Sequence, residues 1–83
     1  MKMLLKNLGA NKTELNVNGV VILFSYNTPV AAYVSTVNGH IPAGWYKTNK
    51  KWSKTTSKHI NQWYAGEYNE KEQTFFDNLI AGF

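Results

Sequence analysis

The chain has 83 residues, 43% hydrophobic and 14% aromatic, with no cysteine and a net charge of +4. One domain, residues 1–83, is the expected organisation. Disulfides and cysteine-ligated metal sites are excluded, and the apolar content is too high for a disordered chain.

The start, Met1-Lys2-Met3-Leu4-Leu5-Lys6, looks briefly like a secretory leader. Lys6 and Asn7 end the apolar run well short of the roughly 7 to 15 residues a leader needs. No stretch approaches the roughly 20 apolar residues of a membrane span. No membrane association and a cytoplasmic location are therefore expected. Next come Thr13–Val17 and Val20–Tyr26, two runs of strand formers on either side of Asn18-Gly19. Asn-Gly suits the positive φ angles of a tight hairpin turn. The run Val20–Phe24 is apolar without alternation, which predicts a central strand covered on both faces.

Asn27-Thr28-Pro29 interrupts the pattern, because proline has no N–H to donate. Val30–Val37 reads as a third strand. Asn38-Gly39 opens a loop through Pro42 to Gly44, and Trp45–Thr48 reads as a short fourth strand at an edge. The period then changes. Ser53, Thr55 and Thr56 are capable helix caps, Ile60, Trp63 and Tyr64 recur at helical spacing, and Gly66 can end the helix. This predicts a helix over 56–65. Asn69 with Glu72 resembles a capping pair, and Glu67 can pair with Lys71 one turn on. Phe75, Phe76, Leu79 and Ile80 then predict a second helix over 70–81. The expected fold is α+β, a four-stranded antiparallel meander followed by two C-terminal helices packed on one face.

Charge is uneven along the chain. No acid occurs between Glu14 and Glu67, whereas that interval holds Lys47, Lys50, Lys51, Lys54 and Lys58. With Trp45 and Trp52, these lysines form the candidate nucleic-acid-binding set. Lysines and hydroxyls contact phosphates, and aromatic rings beside cations stack on unpaired bases. On the predicted helix, Lys54 and Lys58 share a stripe with Asn61 or Gln62, opposite Ile60 and Trp63. Helix capping, core filling and solvated loops account for the same residue types without any ligand. All nine basic residues are lysine, so the guanidinium fork that reads guanine edges is missing.

His40 and His59 are the two histidines, and paired imidazoles run acid–base phosphodiester cleavage in some enzymes. Nothing in the sequence places these two together. His59, one turn before Trp63, reads instead as a partly buried hydrogen-bonding residue. There is no nucleophile elbow, Gly-rich phosphate loop or paired-histidine zinc motif. No catalysis, metal or cofactor is expected, and Glu70, Glu72 and Asp77 read as a solvated face.

The pattern Ser25-Tyr26-x-Thr28-Pro29-Val30-Ala31, then Lys47-Thr48 and Ser53-Lys54-Thr55-Thr56-Ser57-Lys58-His59-Ile60-Asn61, resembles a group of short uncharacterised proteins encoded by tailed bacteriophages. The resemblance spans most of the chain. It implies an accessory role in an infected bacterial cytoplasm and carries no functional residues with it. The expected partners are nucleic acid, a nucleic-acid-bound host complex, or a host enzyme or defence complex that the protein would modulate. The exposed edge strand also invites a homodimer.

Overall fold

The computed structural model describes residues 3–9, 11–17, 19–35, 41–50 and 52–81. Asn18, Asn38-Gly39, His40, Lys51 and the end of the expected third strand at Thr36-Val37 lie outside them. In chain order the elements are β1 (Met3–Gly9), β2 (Lys12–Val17), β3 (Val20–Ser25), β4 (Thr28–Val34), β5 (Gly44–Thr48), α1 (Lys54–Trp63), β6 (Asn69–Lys71) and α2 (Gln73–Ala81). All six strands lie in one sheet in sequence order, with β1 to β5 antiparallel and β6 parallel to β5.

The hairpin expected at Asn18-Gly19 forms, with Val17 opposite Val20 and Gly19 at φ 78°. Glycine meets that positive φ without a Cβ clash. The next turn differs from expectation. β3 ends at Ser25, the two-residue turn is Tyr26-Asn27, and Thr28 and Pro29 already belong to β4. Pro29 is accommodated because the β3–β4 register shifts there. Leu23 faces Ala31 and Phe24 faces Pro29, leaving Val30 as a bulge.

Four strands were expected and six are present. β1 was missed because its apolar run is short and broken by Lys6 and Asn7. It is a strand because β2 offers it an open edge, with Leu5 opposite Leu15 and Lys6 opposite Glu14. β6 is three exposed polar residues, a composition with little strand preference. It is held by its neighbours: Asn49 N–H donates to Lys71 O at 2.9 Å, and Asn69 Nδ2 donates to Trp45 O at 3.1 Å. Asn69 therefore caps no helix. α2 begins at Gln73 rather than near 70, and Glu67 and Lys71 share no helix. α1 begins earlier than expected. Ser53 is its N-cap, its hydroxyl accepting Thr56 N–H at 3.1 Å.

The two helices pack on opposite faces of the sheet, not on one. Phe76 and Leu79 of α2 join Val20, Ile22, Ala32, Val34 and Tyr46 in one buried cluster. Ile60 of α1 joins Leu23, Val30 and Ala31 in another. Ile22 pairs with Ala32 and Leu23 with Ala31, and successive strand residues point to opposite faces. β3 is thus covered on both faces, as its unbroken apolar run requires. α1 crosses one face between the parallel strands β5 and β6, and α2 returns over the other.

Candidate functional site

α1 is fastened to the end of β3 by a buried polar contact. Ser25 Oγ lies 3.0 Å from Thr56 Oγ1 and 2.9 Å from His59 Nδ1. All three residues are buried, with His59 only 7% exposed. Burial pushes the His59 pKa below its ordinary value, and the nearby Lys12 and Lys58 push it the same way. His59 is therefore a buried, hydrogen-bonded histidine whose surroundings favour the neutral ring. It was singled out as such in the sequence, but its partner Ser25 was not. No local pattern links the two residues. His40, the other half of a hypothetical catalytic pair, lies outside the described residues.

Trp45 occupies the centre of an aromatic cluster on the same face. Its ring stacks on Tyr64 at 3.8 Å and 7°, and Tyr33 lies 4.3 Å away at 35°. Trp63 approaches edge-on at 5.4 Å, and its indole N–H donates to Glu14 at 2.8 Å. Both faces of Trp45 are covered, so it holds α1 against the sheet and presents no free stacking surface. Tyr68 closes the cluster, donating to Ile60 O at 2.8 Å. Burial and the neighbouring Tyr64 raise the Tyr68 pKa, which keeps it a neutral phenol. Gly66 is close to this cluster, and any side chain there would run into the Tyr64 ring.

Among the described residues, the other candidates lie along α1 and the end of β5. A groove of about 280 Å³ runs between α1 and the end of β5. Lys47, Lys50 and Trp52 line one side, and Ser57 and Asn61 of α1 line the other. Glu70, the register neighbour of Lys47, also reaches it. Lys54 and Lys58 are exposed and one turn apart on the helix ridge turned away from the buried Thr56, His59 and Ile60. Trp52 is 42% exposed. Its N–H donates to Gln73 Oε1 at 3.1 Å, and Lys50 Nζ sits 4.1 Å from the ring centroid. Gln73 also accepts Thr48 Oγ1 at 2.9 Å and donates to Pro29 O at 2.7 Å, so the indole is oriented from below.

On the far flank of α1, Lys12 Nζ donates to Gln62 Oε1 at 3.3 Å. This lysine belongs to the same basic surface and was missed. Fifty residues of sequence separate the partners of that contact, and only the β2–β3 pairing brings Lys12 to the helix. α1 has no acid in its first turn. Its N-terminal N–H groups, which carry partial positive charge, therefore have Lys54 in the first turn and no carboxylate on that turn to offset them.

A larger hollow of about 460 Å³ lies on the opposite face beside Tyr46, Phe75 and Leu79, with Lys71 as the only charged lining group among the described residues. None of the described candidate residues lines it. Among the described residues there is no group of three or more His, Asp or Glu placed to hold a metal. No helix among them is long and apolar enough to cross a membrane.

The chain belongs to a family of unknown function, DUF8033, whose model matches residues 3–78. No curated protein and no solved structure matches it.

Proposed function

We propose that this member of a family without an assigned activity acts by binding, not catalysis, and that its ligand is the phosphate backbone of nucleic acid, alone or within a host complex. The observation that carries the reading is that Lys47 and Lys50 line the groove beside α1 while Lys54 and Lys58 stand exposed on that helix, which has no acid in its first turn. Lysines placed against their own helix dipole are unfavourable by a few tenths of a kcal/mol each, and an anion relieves that. Lys12 extends the surface, and Lys51 adjoins it in sequence. Trp52 supplies the exposed ring. With lysine alone, binding is expected to follow phosphates and to be largely independent of sequence. The setting suggested by the bacteriophage resemblance is an accessory role in an infected bacterial cytoplasm.

The test is a titration with short single-stranded and duplex DNA and RNA at two salt concentrations. Binding should weaken steeply with salt, and each phosphate-contacting lysine removed should flatten the logarithmic slope by about one. The charge-reversed variant Lys50→Glu/Lys54→Glu/Lys58→Glu should lose binding. If it binds as the parent does, or the parent fails to bind at low salt, the reading is wrong.

The fixed orientation of Trp52 favours one alternative, a protein-binding modulator of a host enzyme or defence complex. A half-exposed, pre-oriented tryptophan is a frequent anchor of protein interfaces. Capture from nuclease-treated host lysate should then recover a stoichiometric protein that Trp52→Ala no longer retains.

A further inference from the structure

β1 is an outer strand, paired with β2 on one side only. Its free edge presents backbone N–H and C=O groups that only another extended strand can satisfy in full. The same strand carries Leu5, which is 72% exposed. Leu5 ends a continuous row across one face of the sheet: Leu5 opposite Leu15, Leu15 opposite Ile22, Ile22 opposite Ala32, and Ala32 opposite Tyr46. Ile22, Ala32 and Tyr46 are buried on the α2 side, and Leu15 is half-buried. The apolar row thus continues past the core, out to the open edge, and stops at an uncovered leucine.

We propose that a second copy of the chain completes this edge, its β1 antiparallel to the first and the two strands centred on Leu5. Three features select that arrangement. The β1–β2 register breaks between Asn7 and Gly9, so the regular part of β1 is Met3–Asn7, whose midpoint is Leu5. A two-fold axis there places Leu5 opposite Leu5 of the second copy, on one face, so that each covers the other and the apolar row continues across the junction. The charges agree as well. Centring on Lys6 would set two ammonium groups face to face, whereas centring on Leu5 staggers them and leaves each Lys6 opposite Glu14 of its own chain.

Two six-stranded sheets then become one, and a two-fold axis normal to the sheet leaves both α1 helices on the same side. Edge pairing of this length falls below the roughly 1,200 Å² of a standard stable interface, so the association is expected to be weak and concentration-dependent. It does not rest on the nucleic-acid reading and is tested without any nucleic acid.

The chain lacks cysteine, so Leu5→Cys introduces the only thiol. Directly opposed residues of antiparallel strands have Cα atoms about 4.5–5.5 Å apart, inside the range a disulfide bridges. In the same arrangement the two position-7 residues are displaced by four strand positions, roughly 13 Å, too far to bridge. Under mild oxidation Leu5→Cys should form a covalent dimer and Asn7→Cys should not. Light scattering of the parent should show mass rising toward the dimer with concentration, and Leu5→Lys should remain monomeric. Because Leu5 is largely exposed, Leu5→Lys should keep the parent's circular dichroism and melting behaviour. A parent that stays monomeric at the highest concentration overturns the proposal, including the case in which a foreign strand occupies the edge. So does equal cross-linking from positions 5 and 7.

Discussion

The two faces of this sheet are finished in different ways. On the α2 side, Val20, Ile22, Ala32 and Val34 meet Phe76 and Leu79, and the contacts are almost purely apolar. On the α1 side a smaller apolar cluster around Leu23, Ala31 and Ile60 is joined by the Ser25–Thr56–His59 hydrogen bonds and by the rings around Trp45. Apolar burial stabilises without much regard to direction. Hydrogen bonds and stacked rings fix a position, because a displaced partner leaves a buried polar group unsatisfied. The directional contacts hold α1, the helix that carries Lys54 and Lys58. The α2 face is held by apolar packing, and the α1 face adds contacts that set where α1 stands.

Substitutions on the two faces should separate these roles. Phe76→Ala on the α2 side removes the largest fully buried side chain and should cost about 3–5 kcal/mol in denaturant unfolding. On the α1 side Ser25→Ala leaves His59 Nδ1 without its partner and should cost about 1–3 kcal/mol. Gly66→Ala should cost about 1–2 kcal/mol by driving Tyr64 off Trp45, with a change in near-ultraviolet circular dichroism that Phe76→Ala does not share in kind.

The α1 side should also respond to pH. Because the folded pKa of His59 is lowered, the unfolded chain binds the proton more readily. Stability is then full above the unfolded value of about 6.5 and declines as the pH falls below it. His59→Gln should flatten that part of the profile, measured by denaturant midpoints across mildly acidic pH. The smallest effect should have the opposite sign. Lys54→Glu places an acid in the first turn of α1 and should stabilise the protein by about 0.3–1 kcal/mol while weakening nucleic-acid binding. Loss of binding with a gain in stability would show that the lysine serves the ligand and not the fold.

The local devices were legible in the sequence. The hairpin at Gly19, the two-sided burial of β3 and the apolar stripe of α1 follow from turn chemistry and periodicity. Periodicity says which side of a helix is buried but not which face of a sheet receives it. The unbroken run Val20–Leu23 nevertheless required a cover on each face, and two helices on one face could not have supplied both. β1 and β6 were not legible, since the first is a mixed run and the second is Asn-Glu-Lys, and each is a strand only because a neighbour has an open edge. In the candidate site, the basic and aromatic segment was visible as composition. The stacking of Trp45 and the contacts of Lys12 and Ser25 depend on pairings between distant segments, which no local window contains.

The parallel pairing of β6 divides the sheet into a quick end and a slow one. β1 to β4 are joined by tight turns, so each pairing closes a short loop and forms soon after its residues are available. Tyr46 cannot meet Asn69 until all of α1 has been made and laid across the sheet. The exposed Asn69–Lys71 strand should therefore be the last to pair in folding and the first to release its amides to hydrogen exchange.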